Sequence, residues 1–191
     1  MDHLRSYGPL LQKVTLTQCE FLHPQSLIPL CNHCPNLAQL SVYGCSPISD
    51  DLFVGELPDL PTKPFSQMRE LTYEGLIPDP LARFLLGSCS NLETLKLRVN
   101  KEMSFSVEIL RILTNEPRRN LREVFLSFDR CQSFFLPSLR DFIAASENLE
   151  RLEIFCGDHT KKDALDKLAH EMRKNNYDLE FLYYVRSKPR S

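Results

Sequence analysis

Three groups of residues have types and spacings that suit chemistry. Cys19-x3-His23, followed by Cys31-x2-Cys34, offers four soft donors, and Cys-x2-Cys spacing fits a tetrahedral zinc ion. Cys156-Gly157-Asp158-His159 brings together a thiol, a carboxylate and an imidazole, the parts of an activated nucleophile. Asp50-Asp51 is a carboxylate pair of the kind that meets a metal. Each has a plainer reading. Free cysteine is a common small core residue. Asp158 and His159 fall in the loop after a strand, and carboxylates at a helix start face the positive end of its dipole. None of the five histidines (His3, His23, His33, His159, His170) lies in a recognisable nucleophile motif, and the six glycines form no phosphate-binding loop. The expectation is a protein that is not an enzyme and uses no metal or cofactor.

The elements that position these residues follow from composition and pattern. The 191 residues make one domain, 1–191. With 23 basic and 25 acidic residues the net charge is -2, which argues against binding nucleic acid through bulk positive charge. Hydrophobic residues reach 42%, enough for a core. No run of about 18 apolar residues appears, so no transmembrane helix and no membrane partner are expected. Met1 to Tyr7 has no charged region followed by an apolar one, so no secretory signal is read. The seven cysteines are then expected as reduced thiols in the cytoplasm or nucleus.

One phrase recurs along the chain: apolar, two variable, apolar, one variable, apolar. It starts at Leu11, Leu37, Met68, Leu92, Leu121, Leu149 and Leu179, at spacings of 26, 31, 24, 29, 28 and 30 residues. In a short strand alternate side chains point to opposite faces. The fourth and sixth positions of the phrase therefore face inward, and the third, fifth and seventh face outward. Three residues after the sixth position the chain must turn, and Cys19, Cys45, Asn100 and Asp129 stand there, with Leu76, Gly157 and Ser187 in the other copies.

Between the strands the spacing turns helical. Short helical stretches are expected at 26–31, broken by Pro29, and at 79–86, 106–113 and 138–145. A longer one covers 160–174, with Thr160 as N-cap and Asp163 at capping-box distance. Residues 54–66 read as a loop, because Pro58, Pro61 and Pro64 prevent a continuous helix, and this accounts for the long second period. Residues 186–191 read as a solvated basic tail. The helix at 160–174 and the last strand are expected to close the C-terminal end. About nine residues precede the first strand, so either the first repeat caps itself or the chain is a piece of something longer.

These strand–helix repeats resemble leucine-rich repeats over about residues 10–186. The likeness is greatest to the cysteine-containing repeats of F-box/leucine-rich-repeat proteins. It is carried by Leu30, Cys34-Pro35-Asn36-Leu37, Leu40, Val42, Cys45 and Ile48-Ser49-Asp50-Asp51, with echoes in Cys89-Ser90-Asn91-Leu92 and Glu147-Asn148-Leu149. The resemblance implies an α/β leucine-rich-repeat solenoid of about seven repeats, with parallel strands on a concave face. It also implies substrate recognition for a Skp–cullin–F-box ubiquitin ligase. No F-box is read in this chain, so attachment to cullin-ligase subunits is expected through a region outside it. The alternative is a stand-alone scaffold or regulatory subunit.

The outward positions of the strands are the informative surface. They are mostly polar in the N-terminal half, where Tyr43 is an exception. In the C-terminal half Phe125, Phe155, Phe181 and Tyr183 are expected to gather near Lys96, Arg98 and Arg151. Aromatics with arginine on a solvated face are the composition of an interaction hot spot. A protein partner is therefore expected there.

Overall fold

The structure, a computed structural model, describes residues 2–19, 24–44, 65–75, 77, 79–99, 104–115, 119–128, 130–131, 135–175 and 178–185. The chain opens with α1 (Asp2–Tyr7), a 3-10 turn (Gly8–Leu10), β1 (Lys13–Thr17), α2 (Pro24–His33) and β2 (Gln39–Tyr43). It continues through β3 (Glu70–Glu74), α3 (Asp79–Ser88), β4 (Thr94–Arg98), β5 (Ser104–Phe105), α4 (Val107–Asn115) and β6 (Glu123–Phe128). It ends with β7 (Arg130–Cys131), α5 (Phe135–Ala145), β8 (Arg151–Cys156), a 3-10 turn (His159–Lys161), α6 (Lys162–Lys174) and β9 (Glu180–Val185).

The fold is α/β. Seven strands form one open parallel sheet in the order β1-β2-β3-β4-β6-β8-β9, and β5 pairs with β7 in a separate two-stranded parallel sheet. Strands join the main sheet in chain order, and parallel crossovers keep one hand, so successive helices fall on the same face. Consecutive helices from α2 to α6 pack side by side. Among the described residues no helix is long and apolar enough to cross a membrane.

The period-2 pattern explains the core. Leu40 and Val42, Leu71 and Tyr73, Leu95 and Leu97, Val124 and Leu126, and Leu152 and Ile154 are all buried. The helices bring Leu27, Leu81, Leu110, Leu139, Phe142, Leu165 and Leu168 into the same cluster. Each fully buried leucine contributes about 1.5–3 kcal/mol by leaving water. In β1, at the sheet edge, Val14 and Leu16 are only partly buried.

The register of β1 to β8 follows the repeat read from the sequence, Gln39 beside Glu70 and Thr94 beside Glu123, for example. The last strand does not. The sequence pattern sets Arg151 beside Phe181, whereas the structure sets Arg151 beside Glu180 and Leu152 beside Phe181. A one-residue slip exchanges the two faces of a strand. Phe181 and Tyr183 therefore line up with the inward Leu152 and Ile154, and both pack against the core. Their expected outward placement is corrected accordingly.

Some helix ends differ from expectation, while the start of α3 at Asp79 and the ends of α5 at Ala145 and α6 at Lys174 fall where expected. Pro29 does not break α2, which runs from Pro24 to His33 around it. Proline removes one intrahelical hydrogen bond, and the buried Leu27, Leu30 and Cys31 of that helix hold it against the core. Helix α5 begins at Phe135, three residues before the expected start, with Pro137 in its first turn, where proline costs no bond. Thr160 does not cap α6. It lies in the preceding 3-10 turn, where its backbone N–H and hydroxyl both donate to the Asp158 carboxylate, at 3.0 and 2.6 Å.

Adjacent repeats are tied at the entry to their strands. The Nδ2 groups of Asn36, Asn91 and Asn148 donate to the carbonyls of Pro9, Ser66 and Arg119 at 2.8, 2.7 and 2.7 Å. Asn120 donates to Asn91 Oδ1 at 3.1 Å. Strand exits change midway. Gln18, Gly44 and Gly75 leave the first three strands with positive φ (53°, 59° and 138°). The equivalent Val99, Phe128 and Cys156 are instead buried apolar residues. At the N-terminal end, buried Gly8 presses on the last residue of α2, and a Cβ at Gly8 would stand 2.2 Å from the His33 carbonyl oxygen.

Candidate partner-binding face

The face of the sheet opposite the core carries three rows of side chains. On β4, β6, β8 and β9 the seventh-position row reads Arg98, Ser127, Phe155 and Tyr184. The fifth-position row reads Lys96, Phe125, Glu153 and Leu182. The third reads Thr94, Glu123, Arg151 and Glu180. Parallel register stacks these rows, so residues about 28 positions apart in sequence become neighbours.

Phe125 is the centre of the cluster. Lys96 Nζ lies 5.6 Å from its ring centroid and Arg151 Cζ 5.5 Å, on neighbouring strands. Each such cation–ring contact is worth about 0.5–1 kcal/mol at an exposed site. The cations are also held by carboxylates. Lys96 donates to Glu70 at 3.1 Å, Arg151 to Glu153 at 3.2 Å, and Arg98 lies 3.7 Å from Glu74. Exposed pairs of this kind contribute about 0–1 kcal/mol each, so they set direction more than stability. The Nε–H of Arg151 is buried without a hydrogen-bond partner, with Glu180 at 3.7 Å. An unmet donor of this kind is costly where water is excluded.

Beside Phe125 is a hollow of about 280 Å³ lined by Thr72, Glu74, Lys96, Arg98, Phe125, Ser127, Glu153 and Phe155. The structure thus brings together Lys96, Arg98, Phe125 and Phe155 around one depression, with Arg151 against the Phe125 ring. Phe155 is 46% exposed and Tyr43 38% exposed, large values for such rings. Tyr43 shares the face but is set apart from Arg98 by Glu74 on β3. Phe181 and Tyr183 are not on this face. Their rings pack on each other with centroids 5.7 Å apart, and the Tyr183 hydroxyl donates to Asp166 of α6, on the helix side. Leu182 and Tyr184 take their place, and Tyr184 is 50% exposed. Sequence reading missed these two because every residue from Phe181 to Val185 is apolar or aromatic, so alternation gives no unique face. It also missed Ser127, whose small side chain makes the hollow.

The residues with possible chemistry are arranged otherwise. Cys31 and Cys34 are buried free thiols near the end of α2. Burial pushes the Cys31 thiol up to about 12, with repulsion from Cys34 adding to it and a backbone hydrogen bond opposing it. Burial raises the Cys34 thiol as well. Nucleophilic attack needs a thiolate, which this environment disfavours. His23, Cys45, Asp50, Asp51, Asn100 and Asp129 lie outside the described residues, as do 54–64 and 186–191. Cys156 is buried and its thiol donates to the Asp158 carbonyl at 3.7 Å, while the Asp158 carboxylate is occupied by Thr160. Among the described residues no three His, Cys, Asp or Glu side chains converge as metal ligands.

Compared with family models and with curated proteins, the sequence matches none.

Proposed function

We propose that this protein is a non-catalytic recognition module of leucine-rich-repeat solenoid type, which binds a protein partner on the open face of its parallel sheet. One observation carries the reading: Phe125, flanked by Lys96 and Arg151, opens onto a hollow whose other ring, Phe155, is 46% exposed. Cross-strand contacts of the Phe125 ring support the sheet as well, and binding hot spots are rich in aromatics and arginine. The most concrete form follows from the repeat resemblance: the substrate-recognition part of a Skp–cullin–F-box ubiquitin ligase, acting in the cytoplasm or nucleus. A free-standing scaffold is the other form.

The test is a C-terminal tag at the endogenous locus, in wild type and in a Phe125→Ala, Phe155→Ala double variant, with quantitative identification of what co-purifies. At least one partner is expected to fall by ten-fold or more in the variant, at equal level of the tagged protein. Unchanged partner recovery would overturn the recognition reading. Recovery of a cullin and its adaptor favours the ligase form, and a partner set without them favours the scaffold.

A further inference from the structure

We infer that two copies of this chain pair through their last strands, β9 beside β9 across a two-fold axis, so that the two main sheets join into one. This contact is separate from the recognition face above.

The edge itself is built for a further strand. Among the described residues β9 pairs with β8 alone, and its other edge is open. Natural sheets blunt such edges with lysine, proline or very short strands. The opposite edge strand, β1, carries Lys13, Thr15 and Thr17. In β9 the single charge is Glu180 at its start, followed by Phe181, Leu182, Tyr183, Tyr184 and Val185. Phe181 and Tyr183 stay partly exposed, whereas their β8 neighbours Leu152 and Ile154 are fully buried. Another strand on this edge would finish covering them.

Backbone direction sets the register. The N–H of Glu180 donates to the Glu150 carbonyl, just ahead of β8, at 2.8 Å. In a parallel ladder successive residues bond to opposite sides. Phe181, Tyr183 and Val185 therefore turn their N–H and C=O groups to the open edge. An antiparallel copy with Tyr183 opposite its own mate sets Phe181 opposite Val185. The outward groups of all these residues then find partners, and the core-side faces of both strands stay on one side of the joined sheet.

Charge selects a second copy as the occupant. Helix α6 rests on β9. The Tyr183 hydroxyl donates to Asp166, and Arg173 is close enough to oppose the rise of that phenol. Asp166 and Arg173 stand two turns apart on one side of α6. Both are exposed, and neither is held in an ion pair among the described residues. Glu171, toward the other side, is taken by Arg140 of α5 at 2.9 Å. A two-fold axis through Tyr183 runs the two α6 helices antiparallel, and sets Asp166 of each copy toward Arg173 of the other. A two-fold contact has to be self-complementary in this way.

The experiment is sedimentation equilibrium of the purified full chain over a range of concentrations, with circular dichroism to confirm the fold. Wild type is expected to dimerise reversibly. Asp166→Arg and Arg173→Asp each set like charges across the axis, and each is expected to weaken the dimer at least ten-fold. Mixed in equal amounts, these two variants are expected to form a heterodimer, because each meets the opposite charge in the other. Val185→Pro removes an N–H aimed at the open edge and no bond to β8. It is expected to give a folded monomer. A wild-type monomer at every concentration, single variants that dimerise as wild type does, or a mixture that stays monomeric would each overturn the inference. A chain that dimerises only once residues 186–191 are removed would overturn it too, and assign the edge to that tail.

Discussion

At the scale of single residues, two buried or half-buried groups report on the packing. The Cys31 thiol has an ordinary value of 9.0 that burial raises to about 12. A raised value means the folded state holds its proton more tightly than the unfolded chain does. The stability from this group is therefore fully present below about pH 9 and is lost as pH rises toward 12. Residue-resolved alkylation at pH 8 is expected to leave Cys31 unmodified in the folded protein and to label it in urea. Labelling of Cys31 at the unfolded rate in native buffer would contradict the buried placement. Tyr183 is the second group. Its hydrogen bond to Asp166 raises the phenol above its ordinary value of 10.0, with smaller raising contributions from burial and from the Asp166 charge, while Arg173 opposes them. Its contribution is likewise present below about pH 10 and lost above it. Tyr183→Phe is expected to cost about 0.5–1.5 kcal/mol at neutral pH, and to remove part of the decline in stability above pH 10. Urea titrations at pH 7 and pH 10.5 measure both. A substitution without effect at either pH would place Tyr183 on the open face after all.

At the scale of elements, the strands of the main sheet were readable, as were the start of α3 and the ends of α5 and α6, whereas the path of α2 through Pro29, the starts of α5 and α6, and the short strands β5 and β7 were not. Strand faces follow from a local alternation with one polar side, as in Gln39 to Tyr43 and Thr94 to Arg98. The alternation fails at Glu180 to Val185, where both faces are apolar, and there a contact distant in sequence, Tyr183 to Asp166, accompanies the register adopted. The aromatic cluster was legible only in part for the same reason. Phe125 and Phe155 stand in strands with a clear polar face, whereas Phe181 and Tyr183 do not. Pro29 shows the other limit, since proline's cost to a helix is local and the burial that offsets it is not. The asparagines preceding the strands were visible as letters, but their role needs the neighbouring repeat's carbonyl. Asn91→Ala and Asn148→Ala are each expected to cost about 1 kcal/mol, measured by urea denaturation. Loss of under a few tenths from both would mean that these bonds exchange with water at no net cost.

At the scale of the whole molecule, an open parallel sheet with its helices on one face divides the surface by task. One face is committed to the core, and the side chains of the other make only the weaker contacts of an exposed surface. The aromatic and cationic groups gather on that second face at β4, β6 and β8. Under the proposed recognition role, a partner meets the molecule on this face. The most direct measurement is site-specific photocrosslinking in cells, with the photoreactive residue at Thr72, on the rim of the hollow, or at Asp141, exposed on α5. Crosslinked partner is expected from position 72 and not from position 141. A partner captured from position 141 alone would contradict the assignment and move recognition to the helical face.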